Sequence, residues 1–124
     1  TDVKPVKPEQ LIEMSTMLNI SYALERVAGN TRLYLRIAHN FRKHFYMVTE
    51  QLPQLIDSNR EEAIRMVHTI KGLAGQIGAD ELYEYSRELE MELKEDGAYE
   101  EILSIFMEEF IEVMDELARL ECRK

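Results

Sequence analysis

The sequence predicts an all-α protein, an antiparallel four-helix bundle preceded by one or two short N-terminal helices. Three observations carry this. Only 5 glycines and 3 prolines occur in 124 residues, and no tryptophan, too few turn residues for a β-sandwich or small barrel. Apolar residues recur at steps of three and four, the period of a helix with one buried face. Breaks at Gly29, Gly78 and Gly97 favour short loops between antiparallel helices over an extended coiled coil.

The elements follow in order. Residues 1–8 hold Pro5 and Pro8 with three charges and read as the end of a linker; residues 9–124 form the bundle. Leu11, Ile12 and Met14–Leu18 suit a short first helix. Asn19 and Ser21 are candidate caps for a second, Tyr22–Val27, which stops at Ala28-Gly29. Asn30 or Thr31 caps a long helix whose apolar face runs Leu33, Ile37, Phe41, Phe45 and Val48. Pro53 is expected to kink it near Thr49. Ser58 with Glu61 matches a capping box for the next helix, about Arg60 to Ile77, ended by Gly78. Asp80 can cap a helix running to about Glu95, and Asp96-Gly97 is a turn signal. The last helix covers roughly Ala98–Arg123, with Ile102, Ile105, Phe106, Phe110, Val113, Leu117 and Leu120 on one side.

Composition bounds the function. The length suits one domain, and 31% charged with 45% hydrophobic residues suits a soluble chain with a core. No run reaches the ~18 apolar residues of a membrane span, and the N-terminus lacks a signal-peptide stretch. It also lacks an initiator Met, so a fragment of a longer protein is expected. Cys122 stands alone, which excludes an internal disulfide framework and a cysteine-based zinc site and fits a cytoplasmic setting. The net charge of −9 is uneven. Residues 1–79 hold 10 basic and 8 acidic side chains, and residues 80–124 hold 5 and 16. The acidic half disfavours nucleic acid; the first half suits an acidic protein partner.

One segment is not explained by packing. In Met66-Val67-His68-Thr69-Ile70-Lys71-Gly72-Leu73-Ala74-Gly75-Gln76-Ile77-Gly78-Ala79, the core stripe is Ala63, Val67, Ile70, Ala74 and Ile77. His68, Gly72 and Gly75 fall on another sector, within about 60° of one another, with Lys71 at its edge. Each glycine inside a helix costs roughly 1 kcal/mol relative to Ala, which is tolerated where something approaches the backbone closely. A rim histidine, a cation and a bare backbone patch suggest an anion delivered to the imidazole by a bulky partner. The bland alternative is a rim histidine beside glycines left by close helix packing. His39 and His44 are five apart, not the i, i+4 spacing of a metal pair, and read as surface or boundary residues. The seven methionines read as core gap-fillers. Met47, Leu52, Leu55 and Ile56 suit core or docking surface equally.

The string His68-Thr69-Ile70-Lys71-Gly72 with Ile77-Gly78-Ala79 resembles the signature of histidine-containing phosphotransfer (HPt) domains, the four-helix carriers of multistep His–Asp phosphorelays. Ala28-Gly29-Asn30 with Leu33, Leu35 and Phe41 resembles the family's upstream pattern, and Leu82 with Leu89-Glu90 its downstream one, covering about residues 18–120. Val67 stands where many members have Ala, and Asn19 where Asp is frequent. The resemblance implies that His68 is the phosphoacceptor, through the ring nitrogen farther from the backbone. It implies that Lys71 counters the phosphoryl charge and that Glu90 holds the other ring nitrogen. Gly72, Gly75, Gln76 and Lys94 would form the docking face for a response-regulator receiver domain. The chain would be a phosphocarrier rather than an enzyme, without a cofactor of its own, the Mg²⁺ used in transfer sitting on the receiver. It would be monomeric and free of direct membrane contact.

Chemistry agrees with these assignments. Phosphoryl transfer has a loose transition state, so positioning and charge neutralisation dominate, and neutral imidazole, the major form of an exposed histidine at pH 7, needs no general base. The chain has neither a glycine-rich nucleotide loop nor a Walker sequence. A C-terminal module of a hybrid sensor histidine kinase is the expected context, its other kinase domains as partners and the parent anchored in an inner membrane. Two alternatives stand beside this: a substrate domain phosphorylated directly by an ATP-binding domain, and a helical adaptor without chemistry.

Overall fold

The computed structural model describes residues 6–122, in which seven helices and no strands occur. They are α1 (Pro8–Glu13), α2 (Ile20–Glu25), α3 (Thr31–Phe45), α4 (Val48–Ser58), α5 (Arg60–Ile77), α6 (Asp80–Lys94) and α7 (Glu100–Glu121). Thr1–Pro5 of the expected linker and Arg123 of the expected last helix lie outside the described residues.

The bundle consists of α3 with α4, then α5, α6 and α7. Helix α5 packs against α4 and α6, α6 against α7, and α7 against α3, which closes the ring. The very short connections at Asn59 and at Gly78-Ala79 force successive helices to run antiparallel. The core stripe of α5 is Ala63, Val67, Ile70, Ala74 and Ile77, as its period implies. Phe110 lies 6.0 Å from both Phe41 and Phe106, ring centre to ring centre, joining α3 to α7 through aromatic contact.

Helices α1 and α2 close one end of the bundle. The Asn19 N–H donates to the Gly78 carbonyl at 2.7 Å, and the Asn19 side chain caps α2 at the Tyr22 N–H. Ser15 Oγ donates to Glu116 Oε2 at 2.5 Å and accepts from the Leu18 N–H. That local bonding explains why α1 stops at Glu13 instead of continuing through Met14–Leu18. Ser21 lies inside α2 and caps nothing.

The long helix departs further from expectation. Asn30 caps α3, but the buried side chains are Tyr34, Ala38 and Phe41, one position round from Leu33 and Ile37. Tyr34 wins the interior because its hydroxyl reaches the Ile77 carbonyl at 2.7 Å, which satisfies the phenol while its ring packs. The helix breaks at Tyr46-Met47 rather than near Thr49, and Pro53 is carried inside α4. Val48, Leu52 and Ile56 are core, and Leu55 packs at its edge. The cap of α5 is Asn59, whose side chain accepts from the Glu62 N–H, whereas Ser58 Oγ donates back to the Gln54 carbonyl. Asp80 is the first residue of α6 rather than its cap, and its carboxylate accepts from Asn19 Nδ2. Ile105 is exposed. Five methionines pack only at the core's edge, and Met91 is exposed.

Gly78 ends α5 in the left-handed region, at φ 81. A Cβ there would sit 2.5 Å from the Asn19 carbonyl oxygen, so the residue needs both its conformation and its bareness. Gly78→Ala is expected to cost at least about 2 kcal/mol through strain and a displaced backbone contact. Urea unfolding at pH 7 measures this, and an unchanged midpoint would contradict the account.

Candidate functional site

The sector of α5 away from the core carries His68, Gly72 and Gly75. The His68 side chain is 63% exposed, Gly72 is exposed, and Gly75 is half-buried. From α6 comes Glu90, whose side chain is only 6% exposed. Leu89 and Leu93 of α6 are core, and that stripe turns Glu90 towards α5 instead of solvent.

Three groups converge on this one carboxylate. His68 Nδ1 lies 3.0 Å from Glu90 Oε2, Lys94 Nζ 3.0 Å from the same oxygen, and Lys71 Nζ 3.0 Å from Oε1. Burial alone would raise the Glu90 carboxyl; the hydrogen bonds from Lys71, Lys94 and His68 together outweigh it and hold the group at about 2. At neutral pH Glu90 is therefore ionised and can only accept. His68 Nδ1 must then carry the hydrogen, which in the neutral tautomer leaves the lone pair on Nε2. Two ammonium groups against one carboxylate leave this corner positive although Glu90 and Lys94 come from the acidic half of the chain.

A pH dependence follows. The folded pKa lies below the ordinary carboxylate value of 4.5, so the stability Glu90 contributes is fully present above that value and is lost as pH falls towards about 2. Glu90→Gln should lower stability at pH 7 by roughly 1–3 kcal/mol, since it leaves the half-buried Lys71 without its counter-charge. The gap to the parent chain should shrink as pH drops from 4.5 towards 2. Thermal melts of both proteins across that range test this, and a constant gap would contradict it.

The docking-face candidates are placed as follows. A Cβ on Gly72 would meet nothing within 4 Å, whereas one on Gly75 would lie 3.6 Å from the Tyr83 ring. Gln76 is exposed, one turn beyond Gly72. Lys94 is exposed but held by Glu90. Lys71 is likewise engaged by Glu90 in this structure, not left free for an incoming anion. His39 contacts Glu121 and His44 contacts the Asn40 carbonyl, both at the surface.

The sequence reading missed a groove beside Gly75. Asn19, Tyr22, Arg26, Asp80 and Tyr83 line it together with Gly75, and its volume is about 410 Å³. The Arg26 guanidinium sits over the Tyr22 ring. The available signal was the Tyr22–Arg26 spacing of four on α2, which exposes an aromatic with a cation on one helix face. Its approach to α5 is tertiary.

Comparison with known proteins identifies the family of the chain. The sequence model of the family described as Hpt domain matches residues 36–121, which include His68, Lys71, Gly72, Gly75, Gln76, Glu90 and Lys94. No curated protein and no solved structure matches the chain.

Proposed function

The chain belongs to the Hpt domain family, phosphocarriers that work with response-regulator receivers in phosphorelays, and on that premise we propose that His68 is its phosphoacceptor. The observation that carries this is the Glu90 contact, which occupies Nδ1 from the protein side while the side chain as a whole stays 63% exposed.

The step is an exchange of one bond for another. Nε2 of neutral His68 attacks the phosphorus of a receiver's phospho-aspartate. The N–P bond forms as the aspartyl O–P bond breaks, and the aspartate leaves as a carboxylate. The ring keeps its Nδ1 hydrogen and becomes a cationic phosphoimidazole, whose charge faces Glu90. Little covalent help is needed for so loose a transition state. Orientation of the ring and local positive charge supply the catalysis.

Lys71 and Lys94 have a second task in this reading. Both are bound to Glu90 at rest. A phosphoryl group on Nε2 brings negative charge beside them, and the more exposed Lys94 can turn from Glu90 to the phosphoryl oxygens at the least cost in burial. Gly72, Gly75, Gln76 and the Tyr22–Tyr83 groove form the surface against which a receiver lies. The chain itself is assigned no cofactor; the Mg²⁺ of the transfer belongs to the receiver.

The return step tests the carrier role. The phosphorylated chain, freed of donor, should lose its phosphate to an unphosphorylated cognate receiver within minutes. A receiver whose acceptor aspartate is changed to Asn should take none. Equal loss in both cases would reject transfer in favour of simple hydrolysis.

A further inference from the structure

On the outer side of the bundle, α6 and α7 leave a groove of about 410 Å³ that the phosphoryl site does not use. Its floor is apolar: Met91 is 46% exposed, Ile105 38%, and Ile102 lies half-buried between them. Met91 follows Glu90 directly, so it points about 100° round α6, away from His68. Ile105 is the surprise of α7. It keeps the helix's apolar spacing, yet the buried stripe of α7 begins at Phe106 and leaves it uncovered.

The rim is acidic. Glu88, Glu92 and Glu101 line the groove, and none of them forms an ion pair among the described residues. The one cation at the rim, Arg87, is already engaged by Glu84 at 3.1 Å and reaches across to the Met91 sulfur. Here the charge surplus of residues 80–124 stands beside exposed hydrophobic side chains, an arrangement that a merely solvated helix face does not require.

We infer that this groove is a docking site for a basic amphipathic helix of a partner protein. A groove between two antiparallel helices accepts a third helix whose apolar residues repeat at i, i+3 or i+4, and i+7. Lysine or arginine flanking that stripe would meet Glu88, Glu92 and Glu101 and speed encounter. A second copy of the chain is a poor occupant, because its own groove rim has the same charge. The site lies on a side of α6 turned about 100° from Glu90 at Met91, and its lining shares no residue with the proposed receiver face.

The test uses the full chain and a fluorescent 15-residue probe helix with leucines at that spacing and lysines elsewhere. Binding is followed by anisotropy. The expected result is saturable binding that weakens as salt rises and falls at least about tenfold in Ile105→Lys. Glu88→Lys with Glu101→Lys, which leaves the floor intact, should weaken it to a similar degree. Ile111→Lys, an exposed position on α7 outside the groove, should bind as the parent does. Circular dichroism confirms that each variant is folded. The inference is overturned if an acidic version of the probe binds equally, if Ile111→Lys loses as much as Ile105→Lys, or if the groove variants bind unchanged. Concentration-dependent dimerisation abolished by Ile105→Lys would also overturn it, because it would assign the groove to a second copy.

Discussion

His68→Gln is expected to reduce label transfer from a phosphorylated receiver by at least about three orders of magnitude, to background. Glutamine keeps a polar donor within reach of Glu90 but offers no nucleophilic lone pair at the position of Nε2. The side chain is 63% exposed, so stability should change by no more than an ordinary surface substitution does, about 0.5 kcal/mol. Loss of transfer with the fold intact separates chemistry from stability. Transfer at the parent rate would place the acceptor elsewhere.

Gly72→Gln should be almost as damaging, for a different reason. A Cβ at Gly72 meets nothing within 4 Å, so the variant folds, and the helix gains up to about 1 kcal/mol in propensity. The new side chain stands one turn from His68, in the space a receiver must enter. Transfer from the receiver should fall at least about a hundredfold while phosphorylation by phosphoramidate, a small donor that needs no docking, stays close to the parent rate. Equal loss with both donors would show a damaged His68–Glu90 pair instead of a blocked approach. The contrast with Gly78 is instructive: there a Cβ meets the Asn19 backbone at 2.5 Å, so the same kind of substitution acts on folding.

These two glycines also show what the sequence could reveal. Helix α5 was legible in its core face and its end, because its stripe of Ala63, Val67, Ile70, Ala74 and Ile77 has one period and Gly78 stops it. Its exposed sector followed by subtraction, which put His68 and Gly72 at the surface. Helix α3 was harder, since Leu33 and Tyr34 compete for the same interior, and only the distant Ile77 carbonyl decides for Tyr34. The break at Tyr46-Met47 carries no breaker residue, while Pro53 invited a kink that α4 absorbs. Adjacent candidates Ser58 and Asn59 could each cap α5, and a side-chain geometry chooses Asn59. At the site, the pairing of Glu90 with His68 rested on family resemblance, because 22 residues separate them. Lys94 meets Glu90 through the local i, i+4 spacing of α6, but that Lys71 also closes on it required the packing of α5 on α6, which no local spacing encodes.

The most direct test of the account is where the phosphate goes. Incubation of the parent chain with a receiver carrying labelled phospho-aspartate, followed by alkaline digestion and fragment mapping, should find one phosphate on the peptide containing His68. It should be stable in base, lost in acid, and carried on Nε2 by phosphorus–nitrogen coupling in NMR. Phosphate on Nδ1, on another residue, or on no residue would contradict the assignment.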